Sequence, residues 1–408
     1  MEIWNNYMYR NSFLIGLVVF VLCSCDHPEP VVLTGSVYPQ VEITTDIKYD
    51  ALTKTDVHCL VQLKDSIGKV KMSQNGLIKL RGNSTAVFPK RPFRLKLTYP
   101  YPICGLPEGN KWVLLANFFD KTMLRNALAF KMSEDSKLEY TPRFQYIELI
   151  YNNEYKGTYQ LCEKVEVAPH RVAVPEDGWL IEIDAYVINE EGEYYFRTPN
   201  MVYPYRIEYP KDITQEKLED LHQYFIKAEE ALFSDNFTDS LQGWRKYLDE
   251  ESWVDWYLIH EISKDGDGNF YTSCYMHSGS NGKIVMGPVW DFDTSFGNNI
   301  YDDPRNPKGF YTLTAPWFSQ LMKDPIFAQN VKERFLFFYS NKEKYYSYVR
   351  MKANNLLPAI HNNDSIWHTI GQQISPYLEP NKSYKEDIEA LIKWLDIRFE
   401  WMYKSYYS

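Results

Sequence analysis

The chain has 408 residues, 45% hydrophobic and 24% charged, which is ordinary globular composition with room for a two-lobed catalytic domain. Its 54 acidic and 44 basic side chains leave a net charge of −10, which argues against nucleic acid as a main partner, since nothing here would neutralise phosphates in bulk. The 33 Tyr, 22 Phe and 11 Trp supply material for a large core, and no repeat or low-complexity tract is evident.

The first residues do not read as fold. Arg10 provides a positive flank, Phe13 to Leu22 is an apolar run of about ten residues, and Leu22-Cys23-Ser24-Cys25 closes it. That run is too short to span a bilayer and reads as a secretory signal over residues 1–24. Its ending resembles a bacterial lipobox, which implies cleavage before Cys25, lipidation of the Cys25 sulfur and attachment to a membrane of the cell envelope. Asp26 and Glu29 follow, similar to surface-export signals of Bacteroides-type bacteria. Residues 25–40, with Pro28, Pro30 and Pro39, read as a tether before a domain over 41–408. Beyond the signal four cysteines remain, Cys59, Cys104, Cys162 and Cys274; their spacing fits no zinc pattern and buried free thiols are expected.

From 40 to 100 the chain alternates like strands in "VEITTD", "HCLVQLK", "LIKLRG" and "FRLKLTY", with turns expected at "KDSIGK" and "SQNG". Lys121 to Ser133 turns helical, with Leu124, Leu128 and Met132 on one stripe. Strands resume over 144–167, where Asn152-Asn153 marks a hairpin turn, and again over 178–210. From about 214 the pattern is mostly helical, with Asp249 a plausible N-cap. The expected class is therefore α+β with a bilobal plan: a β-rich N-terminal half (about 41–210) and a mostly helical C-terminal half (about 211–408).

The chemistry concentrates in two blocks. In "GPVWDFDTSFGNN" Asp291 and Asp293 stand one residue apart at the end of an apolar run, the way a buried strand delivers carboxylate oxygens to a hard divalent cation. Upstream, "HEISKDGDGNFYTSCYMH" places Asp265, Asp267 and Asn269 between Gly266 and Gly268. A calcium loop is excluded, because Phe270 stands where a glycine is needed and no glutamate follows at the required place. A loop carrying Asp and Asn, a short hairpin, then a strand ending in Asp is the arrangement of phosphotransferases, in which the first Asp handles the attacking hydroxyl and the others hold magnesium. Taken singly, each block also reads as a capped polar turn.

The ordered blocks "IKLRGNSTAVFPKRPFRLKL", "WVLLANFFDKTMLRNALAFKM", "YTPRFQYIELIYNNEYKGTYQLCEKVE" and "GPVWDFDTSFGN" resemble the CotH spore-coat kinase family over most of the chain. The resemblance implies an atypical protein-kinase-like fold that uses ATP and Mg²⁺ or Mn²⁺ to phosphorylate Ser or Thr of secreted or surface proteins. On it, Asp267 matches the catalytic-loop Asp, six residues after Glu261, and Asp291 matches the metal-binding Asp with Asp293 as companion; spacing does not separate the two. Asn269 would be a further metal or phosphate contact. A lysine on a β-strand facing the phosphates is the kinase requirement: Lys96, alternating with Arg94, is the first choice, with Arg81 and Lys90 as rivals. Glu163 falls where a kinase hinge would meet adenine. Arg125 and Asn126 would organise the lobe. The acceptor protein is unspecified, and a monomer is expected.

A competing class is a surface lipoprotein that keeps the fold for adhesion or glycan capture without catalysis. The retention of Asp267, Asn269, Asp291 and Asp293 together weighs against it.

The lipobox reading has a direct check. Cys25→Ala should yield unlipidated protein that fractionates as soluble, and unchanged membrane partition would show that Cys25 is not the anchor.

Overall fold

The computed structural model describes residues 38–374 and 377–407. The signal, most of the tether and Cys25 lie outside the described residues. Seven strands come first: β1 (Gln40–Thr44), β2 (Val57–Lys64), β3 (Val70–Leu80), β4 (Phe93–Tyr101), β5 (Gly109–Leu115), β6 (Phe144–Tyr151) and β7 (Glu154–Glu163). They close into a barrel in the order β1-β2-β3-β4-β5-β7-β6, sealed by parallel pairing of β6 with β1. Alternation decides what fills it. Phe93, Leu95 and Leu97 point inward with Val61, Ile78, Trp112 and Leu161, all essentially inaccessible, while Arg94 and Lys96 face out.

Two expected turns had different outcomes. At 65–68 the chain does reverse, and the Asp65 carboxylate accepts hydrogen bonds from the amides of Ile67 and Lys69. "SQNG", by contrast, lies inside β3 rather than between strands. Gly76 sits where a Cβ would come within 2.7 Å of the Lys96 carbonyl oxygen, so that glycine marks a close strand approach, not a turn. The Asn152-Asn153 hairpin is present, both residues at positive φ (49° and 65°) as a tight two-residue turn requires.

Helix α1 (Arg125–Glu134) is inserted between β5 and β6. The strands read over 178–210 do not join the barrel. β8 (Leu180–Ile183), β9 (Tyr195–Phe196) and β10 (Tyr205–Tyr209) form a second sheet with the later hairpin β11 (Cys274–Ser278) and β12 (Ile284–Met286), in the order β12-β11-β8-β10-β9, with β8 as the strand that meets the hairpin. The second half is otherwise helical: α2 (Gln215–Phe233), α3 (Glu250–Ser263), α4 (Asp302–Arg305), α5 (Pro316–Leu321), α6 (Pro325–Ser340), α7 (Lys342–Trp367) and α8 (Tyr384–Tyr407). The molecule is thus α+β, with a β-rich first half and a helical second half. Among the described residues no helix is long and apolar enough to cross a membrane. Cys59, Cys104, Cys162 and Cys274 are free thiols.

Helix α3 carries the centre of the second half. Asp249 caps it, accepting from the Ser252 amide at 3.1 Å, and nearly every residue along it is buried, polar ones included. At its end the fully buried Glu261 accepts from the amides of Tyr311 and Leu313 (2.7 and 2.9 Å) and from Arg398 of α8 (2.6 Å). Arg398 also donates to the carbonyls of Glu261, Pro307 and Gly309. Lys264, left-handed at φ 49°, places its ammonium among the carbonyls of Asp303, Asn306 and Lys308 at 2.6–3.0 Å. Three buried charged side chains therefore pin segment 303–313 against the loop that follows α3. Arg398→Met would leave Glu261 buried and uncompensated; a loss of about 3–5 kcal/mol is expected, read as a lowered urea midpoint.

Candidate active site

The loop after α3 and the segment after β12 bring their acids into one neighbourhood. Gly266 and Gly268 make the first loop possible. A Cβ on Gly268 would strike Asp265 Oδ2 and His260 Nδ1, and one on Gly266 the Asn299 amide. Asp265 is fully buried, its carboxylate 3.2 Å from His260 Nδ1. Burial holds the His260 imidazole down to about 3, so it is neutral; its ring stacks on Trp256 at 3.7 Å and meets Phe292 at 4.8 Å. Asp267 sits nearer the solvent, and its carboxylate accepts from the Thr294 hydroxyl at 3.0 Å.

The acidic block is not the expected strand. β12 ends at Met286, and residues 287–292 run irregular and largely buried to Asp291, whose φ of 69° is left-handed. An Asp tolerates that conformation better than most residues do. Partners from α1 hold the turn. Asn126 Oδ1 accepts from the Phe292 amide (2.8 Å), and Arg125 donates to the Ser295 carbonyl (3.1 Å) while pairing with Asp120 at 2.5 Å. The "LRN" motif thus holds the acidic turn from behind.

Burial first, and repulsion between the acids second, set the electrostatics here. Burial, then the charges of Asp265 and Asp291, raise the Asp267 carboxyl to about 7. Burial followed by Asp291, Asp267 and other acids pushes Asp293 well above the carboxylate range, and Asp265 is raised by burial and by Asp291. Arg81 opposes this beside Asp291, with its guanidinium 5.6 Å over the Trp290 ring. Asp293 makes no side-chain hydrogen bond among the described residues, and Asp291 has one long contact, from the Ser273 hydroxyl at 3.3 Å.

Among the described residues no group of three or more His, Cys, Asp or Glu side chains closes tightly enough to hold a metal ion. The donor set nonetheless suits a hard divalent cation: oxygen ligands, low in hydrogen-bond partners, each made harder to ionise by the next.

The remaining candidates separate. Arg81 joins the acids. Lys96 lies on the outer barrel face, opposite Leu77 and Lys111, and is not brought into these contacts. Lys90 is buried where β7 meets α7, donating to the Thr158 carbonyl and Asn363 Oδ1 at 2.5 and 2.8 Å, with Tyr159 beneath it. Both carboxylate oxygens of Glu163 are taken up by Arg143, and Tyr140 donates to one of them. Asn269 donates to Thr314 at 3.0 Å. Sequence reading did not single out Ser273 or Thr294; hydroxyls without a charge or spacing pattern gave no signal.

Each raised carboxyl binds protons in the folded state at pH values where the unfolded chain has lost them. That contribution to stability is fully present below the ordinary carboxylate range and is lost as pH rises through the raised values, about 7 for Asp267. Asp293→Asn removes one repelling charge. Metal-free variant should therefore melt above wild type at pH 8, by roughly 2 °C for about 1 kcal/mol, with the gap closing toward pH 5. Scanning calorimetry at both pH values decides, and a variant less stable at pH 8 would assign Asp293 a structural role.

The family described as CotH kinase protein matches residues 78–402, and no curated protein matches the chain. The matched span runs from the end of β3 through both acidic loops into α8, and it carries an expectation of kinase-like activity. With most of its length matched in this way, the chain belongs to the CotH kinase family.

Proposed function

We propose that the protein is an ATP- and divalent-metal-dependent phosphotransferase with a kinase-like fold, acting on Ser or Thr hydroxyls of secreted or surface proteins. The observation that carries this reading is the placement of Asp267 beside Asp291 and Asp293, three acids in one neighbourhood, with Arg81 as the opposing cation.

The roles divide by environment. Asp267 is the proton acceptor. Burial raises its carboxyl, to about 7 in the metal-free protein, toward the range a general base uses. The Thr294 hydroxyl fixes its orientation. Asp291 and Asp293 would hold Mg²⁺ or Mn²⁺, with Ser273 beside Asp291. A bound cation would supply charge neutralisation on the transferring phosphoryl group. Arg81 is the side chain best placed to meet phosphate oxygens, a planar fork suited to that geometry. The same reading anchors the enzyme to the cell envelope through a lipid on Cys25.

Two measurements test it. Thermal shift with ATP should stabilise wild type only when Mg²⁺ or Mn²⁺ is present. Asp267→Ala should keep that shift while losing phosphate transfer, to itself or to a protein acceptor, by about two to four orders of magnitude. Wild type that neither binds nucleotide nor transfers phosphate with any metal would decide for an adhesion or glycan-binding module.

A further inference from the structure

One end of the barrel presents apolar side chains to solvent. The turn from β2 to β3 exposes Ile67 and Val70 (85% and 46%), and the far part of β4 exposes Tyr99 (71%). These segments are held together. The Tyr99 amide donates to Gln74 Oε1 of β3 at 2.9 Å, and the Tyr101 hydroxyl to the Lys71 carbonyl at 3.2 Å. The turn itself needs the Asp65 carboxylate and Gly68 at φ 83°, not the side chain at its tip. Ile67 therefore contributes nothing to the fold that a polar residue would not. A single exposed apolar residue is ordinary, but several on one surface mark an interaction site.

Lysines accompany this patch. Lys64 pairs with Glu42 and Lys71 with Asp65, while exposed Lys69 has no ion pair among the described residues. A hollow of about 300 Å³ opens at the same end, and its lining includes Lys64, Lys71, Tyr101 and Pro39. The chain thus enters the barrel at this end, where Gln40 stands opposite Lys64. Pro39 follows Cys25 by fourteen residues, a reach of at most about 50 Å.

We propose that this end of the barrel docks on the bilayer that carries the Cys25 lipid. Ile67, Val70 and Tyr99 enter the headgroup layer, and Lys64, Lys69 and Lys71 meet lipid phosphates. Tyrosine and lysine suit that layer, because each joins an apolar body to a polar tip. Chain connectivity favours a bilayer over a protein partner: a lipid so near in the chain keeps headgroups at high local concentration around the patch. The inference rests on the lipid-anchored reading and goes beyond it. The lipid tethers the chain, whereas the patch fixes which end of the barrel faces the membrane.

Hydrogen exchange of the lipidated protein on vesicles of phosphatidylcholine and phosphatidylglycerol tests it. Segments 65–71 and 97–102 should exchange about ten-fold more slowly in wild type than in the double variant Ile67→Asp, Tyr99→Asp, the factor expected for burying such a side chain. Both replaced side chains are exposed, so the melting temperature should not move. Val87→Asp, which changes an exposed apolar residue in the β3–β4 connection, should keep the wild-type pattern. Equal exchange in wild type and the double variant would overturn the docking surface alone. Protection that fades as the protein is diluted in lipid would assign the patch to a second copy of the chain and overturn it too. Protein that carries no lipid and does not float with the vesicles would overturn the anchor reading itself.

Discussion

Mutual repulsion among Asp265, Asp267, Asp291 and Asp293 is the constraint around which the second half of this protein is organised. Like charges in a poorly solvated place drive apart whatever carries them. The carrying segments here are irregular loops with little stiffness of their own, so rigidity comes from outside them. Arg125 and Asn126 hold the later loop from α1. Glu261, Lys264 and Arg398 hold the wall that faces the earlier one. Neutral His260 fills the space between Asp265, Trp256 and Phe292 and joins the two loops by packing rather than by charge.

Most of these supports are charged side chains working as backbone clamps. Lys264 and Arg398 donate to seven backbone carbonyl contacts between them, and Glu261 receives two amides. A charged group with several such bonds is satisfied despite burial and over-determines the path of an irregular segment, which a hydrophobic contact of similar area does not do. The geometry of the acids thus depends on residues as distant in sequence as Arg398, and α8 belongs to the site as much as the loops do.

The second sheet shows how one scaffold serves two purposes. Its apolar face fills the core beneath α3. Its other face, bordered by the barrel through Lys164 and Glu208, keeps Glu182, Arg206 and Tyr275 side by side across three strands. Strand pairing fixes those side chains relative to one another without relying on loops.

The sequence by itself determined the class, most strands of the barrel, the two-residue hairpin at Asn152-Asn153, the cap at Asp249 and the two acidic blocks. Those signals are local: alternation with period two, turn residues with special backbone angles, acids beside glycines. Tertiary structure decided the rest. "SQNG" has turn composition, but its glycine answers to a neighbouring strand. The strands over 178–210 look like a continuation of the barrel, but β8 takes its second partner from β11, where Ile183 stands opposite Cys274. Lys96, Lys90 and Arg81 are alike in charge and neighbourhood along the chain; only barrel closure turns Lys96 outward, buries Lys90 under α7 and leaves Arg81 beside Asp291. Pairing between distant segments sets these outcomes, and no periodicity within a segment encodes its partner.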